Sequence, residues 1–148
     1  MNTQLNDSLN NQEILERAIR EGRKKVDYNT LDYPLEVWLE KISQEQINNE
    51  LVWDKLQQSS LIESLLLGLP FLNIIINNEL EVIKGKQQLY TAINFINDNL
   101  RLENLNILTS LNGFTFNNLL LPRQRKFKKI NVRTIEIAPN SDITYWVL

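Results

Sequence analysis

The chain has 148 residues, 43% hydrophobic and 23% charged, which is enough apolar material for one cored domain. Its formal net charge of −2 excludes a bulk polycation, so nucleic-acid binding would need a local basic patch. The sequence contains neither Cys nor His, which excludes disulfides, thiol nucleophiles and histidine-based acid–base or metal chemistry within this chain. The apolar runs Leu65–Leu67 and Ile74–Ile76 are far shorter than the roughly 20 residues that a bilayer-spanning helix needs. The N-terminus is polar and Asn-rich rather than signal-like. A cytoplasmic protein without membrane contact is expected.

In chain order, residues 1–11 read as a polar, mobile tail. Ile14, Leu15, Ala18 and Ile19 predict a short amphipathic helix that Gly22 can end, followed by the solvated charge run Arg23-Lys24-Lys25. Residues 27–34 read as a connector. Leu35, Trp38, Leu39 and Ile42 have helical spacing, which makes Trp38 a core residue. The polar stretch 43–51 is ambiguous between a loop and a short strand. Asp54 is a good N-cap for a helix carrying Leu61, Ile62, Leu65 and Leu66, with Trp53 placed to staple its start. Gly68 and Pro70 stop that helix. Residues 71–76 predict a buried strand, and Asn77-Asn78 a turn into a second strand over 80–83.

The chain is organised around residues 80–96, where that second strand runs through a turn into a helix. Gly85 enters a tight turn, and Leu89, Ala92, Ile93 and Ile96 then fall at i, i+3, i+4 and i+7 of a helix. A glycine turn feeding a helix start offers free backbone N–H groups to an anion, although a plain strand-to-helix connection has the same pattern. Residues 100–111 are weakly helical in spacing. Asn112-Gly113 marks a turn, and residues 114–121 form an apolar loop or short helix. Arg123, Arg125, Lys126, Lys128 and Lys129 make the strongest basic cluster. They could hold a phosphate backbone, but on a helix such residues are more often the wet face around one apolar anchor, here Phe127. Residues 132–137 alternate like a strand with Arg133 and Glu136 outside. Residues 142–148 resemble the first turn of a helix. Strands and helices interleaved without repeats predict a small α+β domain.

The succession Arg23-Lys-Lys-Val-Asp-Tyr28, Asp32-Tyr-Pro-Leu35, Leu51-Val-Trp-Asp54, Leu61-Ile-Glu-Ser-Leu-Leu-Leu-Gly-Leu-Pro70, the Gly85 turn with Gln87, Leu111-Asn-Gly-Phe-Thr-Phe116 and Leu121-Pro-Arg-Gln-Arg-Lys-Phe127 resembles the N-terminal domain of the GmrSD family of modification-dependent restriction proteins. The resemblance covers nearly the whole chain from about Ile19 onward. It implies a ParB/sulfiredoxin-like fold with a small mixed sheet. Residues 1–22 would be a tail and short helix, and residues 23–148 the domain, without the family's C-terminal continuation. It also implies an NTP site with Mg²⁺ at the strand–turn–helix, linked to DNA cleavage by a separate nuclease domain in phage defence.

Carried over to this sequence, Gly85 and Gln87 match the family's Asp-Gly-x-Gln-Arg. Lys84 stands at the aspartate position and Gln88 at the arginine position. Ile47, Asn48 and Asn49 stand where the family has Tyr-Gln-Arg, and Leu72 where it has a second proline. An aspartate can ligate Mg²⁺ or act as a base, whereas a lysine at neutral pH does neither. Paired arginines fork onto phosphate, whereas Gln88 and Asn49 keep hydrogen bonds but no charge. The expectation is a degenerate, catalytically inactive domain with no catalytic residue, no metal ligand and no cofactor. The alternative is a residual nucleotide- or DNA-phosphate binder using Lys84, Gly85, Lys86, Gln87, Gln88, Asn48 and Asn49 with the 123–129 cluster. Expected partners are DNA or a nuclease-domain protein, with self-association through the apolar C-terminus Tyr145-Trp-Val-Leu148.

Overall fold

A computed structural model describes residues 2–142, with side chains from residue 6. The prediction for 142–148, and with it the proposed apolar self-association surface, lies outside the described residues except for Asp142. The architecture is α+β: helices around one small mixed sheet. The helices are α1 (Asn2–Arg23), α2 (Gln44–Glu50), α3 (Lys55–Leu66), α4 (Lys86–Ile96) and α5 (Leu121–Lys128). The strands are β1 (Tyr28–Pro34), β2 (Ile74–Ile76), β3 (Val82–Lys84) and β4 (Asn131–Ile137), in the order β1-β4-β2-β3. β4 runs antiparallel to β1 and parallel to β2, and β2 runs antiparallel to β3.

The core forms around α4. Every residue from Leu89 to Ile96 is buried, so this helix is covered on all sides rather than along one stripe. Ile74 and Ile76 of β2, Ile47 of α2, and Ile62 and Leu65 of α3 belong to the same apolar cluster. Trp38 is buried there too, as its spacing predicts. Phe95, Phe116 and Phe127 meet edge to face with centroids 5.3–6.0 Å apart, contacts worth about 0.5–1.5 kcal/mol each beyond their burial. That packing gives the basic segment its orientation: Phe127 anchors α5 in the core while its charged neighbours stay outside.

Several local expectations are corrected. The N-terminal segment is a single helix from Asn2 to Arg23 rather than a mobile tail and a short helix. No Pro interrupts it, Glu13–Arg17 and Glu16–Arg20 are spaced to pair along it, and Gly22 does not adopt the positive φ of a helix stop. The connector at 27–34 is strand β1, an edge strand whose backbone pairs with β4 from Tyr28↔Ile137 to Pro34↔Asn131. Its Asn, Asp and Pro hide that role, because an edge strand tolerates them. Residues 44–50 form helix α2, capped by Ser43 (accepting from the Gln46 N–H at 3.1 Å) and pinned by the fully buried Ile47. Leu35–Leu39 forms a 3₁₀ turn.

The predicted strand over 71–76 shortens to Ile74–Ile76, and the one over 80–83 shifts to Val82–Lys84. Leu80 belongs to the intervening turn, with φ 65°, where the Asn77 side chain accepts from the Glu79 and Glu81 N–H groups. In β4, Arg133 is exposed but Glu136 is half-buried. The two differ by an odd number of positions and so face opposite sides of the sheet. Helix α3 starts as expected, with a capping box between Asp54 and Gln57.

Candidate functional site

The strand–turn–helix is present where the sequence places it. β3 ends at Lys84, Gly85 takes φ +89°, and α4 begins at Lys86. Glycine is required twice over. The conformation is left-handed, and a Cβ there would lie 2.8 Å from Ile74 Cγ2 on β2. Gly85 supplies no side-chain cap to α4, so the helix start carries its own unpaired amides.

The side chains around the turn are used internally. Gln87 Oε1 accepts from the backbone N–H of Val52 (2.8 Å) and of Trp53 (3.2 Å), and its Nε2 donates to the Glu50 carbonyl (2.8 Å). Gln87 therefore clamps the end of α2 and the connector to α3 onto α4. Lys86 Nζ lies 3.5 Å from Glu50 Oε1. Tyr90, one turn further along α4, donates to Glu50 Oε2 at 2.8 Å, and Gln46 Nε2 donates to the Tyr90 hydroxyl at 2.7 Å. The Tyr90 hydrogen bond, more than Lys86, holds the Glu50 carboxyl below its ordinary range. Burial, together with Glu50 as acceptor and as a negative neighbour, pushes the Tyr90 phenol up to about 12.

Of the other predicted site residues, Lys84 is exposed and Gln88 half-buried. Asn48 and Asn49 are exposed on α2. Asn48 accepts from Gln44 at 2.8 Å, and Gln44 also donates to Asn94 at 3.1 Å, two turns along α4 from Lys86. Among the described hydrogen bonds, Glu50 links α2 to the turn, and Asn48 and Asn49 do not. Glu50, Tyr90 and Gln46 escaped the sequence reading. Tyr90 sits at i+4 from Lys86 and was legible once α4 was assigned. Glu50 was not, because α2 itself was not recognised as a helix.

The hollow beside the turn mixes charges. Glu50, Glu79 and Glu81 line it together with Lys41 and Lys86. A phosphate there would meet more carboxylates than ammonium groups. The donor set does not fit Mg²⁺ with a nucleotide either: the carboxylate nearest the turn is already held by Tyr90 and Lys86, and the exposed residue just before Gly85 is Lys84, which brings an ammonium group rather than a carboxylate. Among the described residues, no group of three potential ligand side chains is gathered for a metal ion, and no helix is long and apolar enough to cross a membrane.

The basic cluster lies on α5, far along the chain from the turn. Arg123, Arg125, Lys126 and Lys129 are exposed, while Lys128 is half-buried with Nζ 5.8 Å from the Phe116 ring centre. At 100° per residue Arg125, Lys126 and Lys129 fall on the side away from Phe127 and Gln124, while Arg123 and Lys128 flank that buried face, so the cations spread around the helix rather than forming one narrow stripe. The described ion pairs, Lys24–Glu21 and Lys86–Glu50, include none of them. Compared with models of protein families, with curated proteins and with solved structures, the chain matches none.

Proposed function

We propose that this chain is a ParB-like domain of the GmrSD type that has lost NTP chemistry and acts as a non-catalytic module of a phage-defence system. One observation carries the reading: two side chains at the Gly85 turn are engaged within the protein, with Gln87 making three hydrogen bonds to the 50–53 backbone and Lys86 paired with Glu50. A side chain so engaged has to break protein contacts before it can meet a phosphate. The family resemblance supplies the class, and the substitutions at 84 and 88 supply the loss.

Calorimetric titration with ATP and GTP at low salt, with and without Mg²⁺, tests the proposal. No heat is expected from protein shown to be folded by circular dichroism. Binding that persists without Mg²⁺ and disappears in Lys86→Glu would overturn it in favour of a residual phosphate site. A gain of NTP hydrolysis in the triple variant Lys84→Asp, Asn49→Arg and Gln88→Arg would show that only the chemistry was lost.

The unpaired cations of α5 favour a second reading, contact with a DNA backbone. It predicts an affinity for duplex DNA that falls steeply with salt. Joint substitution of Arg125, Lys126 and Lys129 by Gln should flatten that dependence.

A further inference from the structure

A second hollow has a different chemistry. Its volume is about 430 Å³, within the size range of small-molecule sites. Leu66, from the last turn of α3, forms one wall. The loop residues Leu108, Leu111 and Phe114 form the next, and Leu119 and Leu120 close it before α5. The lining is mainly apolar, with Asn118 and Arg123 its two polar residues, and it remains open to solvent where Leu120 is 80% exposed.

The loop wall is built rather than loose. Glu63, only 8% exposed, accepts from the backbone N–H groups of Asn106, Ile107 and Leu108 at 2.8–3.1 Å. Those hydrogen bonds, the one from Leu108 foremost, keep its carboxyl below the ordinary range, so it stays an anionic clamp. The Gly113 N–H donates to the Leu102 carbonyl at 2.7 Å, and the Leu102 N–H donates to the Phe114 carbonyl at 2.8 Å. Asn112 Oδ1 accepts from the Leu105 N–H at 2.8 Å. A cavity held this way exists before a ligand arrives and costs little ordering on binding.

Arg123 is the one charged residue in the lining, and no carboxylate pairs with it among the described ion pairs. An apolar cavity with a free guanidinium is complementary to an apolar chain that ends in an anion. We infer that this cavity binds an aliphatic monocarboxylate of medium length, its chain among Leu66, Leu108, Leu111 and Leu119 and its carboxylate on Arg123. The inference is independent of the proposed function, since neither Gly85 nor its neighbours line this cavity.

The test titrates the full chain with hexanoate, octanoate and decanoate below their micellar concentrations, following methyl NMR shifts of the leucines, with octan-1-ol as the uncharged control. Saturable one-to-one binding is expected. It should tighten about two- to four-fold per added methylene until the cavity is full. Arg123 is exposed, so Arg123→Gln does not threaten the fold. That variant should weaken octanoate about tenfold while leaving octanol unchanged. Three results would each overturn the inference: no saturation with any chain length, octanoate affinity unchanged in Arg123→Gln, or wild-type affinity for octanol equal to that for octanoate.

Discussion

Gly85→Ala probes the pivot of the domain. The residue has φ +89°, and an added Cβ would stand 2.8 Å from Ile74 Cγ2 and 3.4 Å from Ile74 Cα and Cβ. Ile74 is fully buried in β2, paired with Thr134 of β4, so it has little freedom to move aside. Left-handed strain on a residue with a β-carbon costs about 1–2 kcal/mol, and forcing a methyl into a packed site about 1–3 kcal/mol. The stiffer unfolded chain returns about 0.4–1 kcal/mol. The net destabilisation is about 3 kcal/mol, with a range of about 1–5.

Gly113→Ala is the control. It has φ +88° and nothing within 4 Å of its would-be Cβ, so only strain should register, about 1 kcal/mol. Urea unfolding followed by Trp fluorescence measures both. The double variant Gly85→Ala/Ile74→Ala isolates the clash, because removing Cγ2 makes room for the new methyl. The pair should then couple favourably by about 1–3 kcal/mol. The reasoning fails if Gly85→Ala costs no more than Gly113→Ala, or if the double-mutant cycle is additive.

Three further outcomes rest on the contacts around α4 and α3. Gln87→Leu leaves the Val52 and Trp53 amides without their acceptor and should cost about 1–3 kcal/mol in urea unfolding, with faster hydrogen exchange at those amides; unchanged exchange would mean the clamp is not formed in solution. Asp54→Ala removes the side-chain half of the α3 capping box and should cost about 0.5–2 kcal/mol, whereas Asp54→Asn should recover most of it. Tyr90 has its phenol pushed up to about 12 by burial and by Glu50. Its contribution is therefore complete below pH 10, the ordinary value, and is lost as pH rises from 10 towards 12. Glu50, held low chiefly by the Tyr90 hydrogen bond, contributes above pH 4.5 and loses that contribution as pH falls through its lowered folded value. Tyr90→Phe should flatten the alkaline arm of a stability-versus-pH profile, and an unaltered arm would assign it to other groups.

The elements legible in the sequence were those with a local cause. Asp54 and Gln57 form a capping box within one turn, Gly85 stands where the chain must take positive φ, and the spacing of Leu89, Ala92, Ile93 and Ile96 marks a helix, though not its burial on every side. The α+β class followed from such segments. So did Phe127 as an apolar anchor among cations, because a lone aromatic in a basic run has only one way to be buried.

What tertiary structure alone decided was wherever partners lie far apart in the chain. β1 reads as a connector because its Asn29, Asp32 and Pro34 disfavour strands, and it becomes a strand through hydrogen bonds to β4, near the other end of the described chain. Register at β3 was set by the Asn77 turn and the pairing with β2, which move Leu80 out of the strand. The candidate site divides in the same way. Gly85 and Gln87 were visible as a motif, but the use of Gln87 was not, since its three partners, Glu50 at the end of α2 and Val52 and Trp53 after it, lie 34–37 residues upstream. Residue identity limits what a side chain can donate, accept or neutralise. Which partner it finds depends on the packing of α2 and α3 against α4, because burial makes an unpaired polar group costly and selects the arrangement that satisfies it.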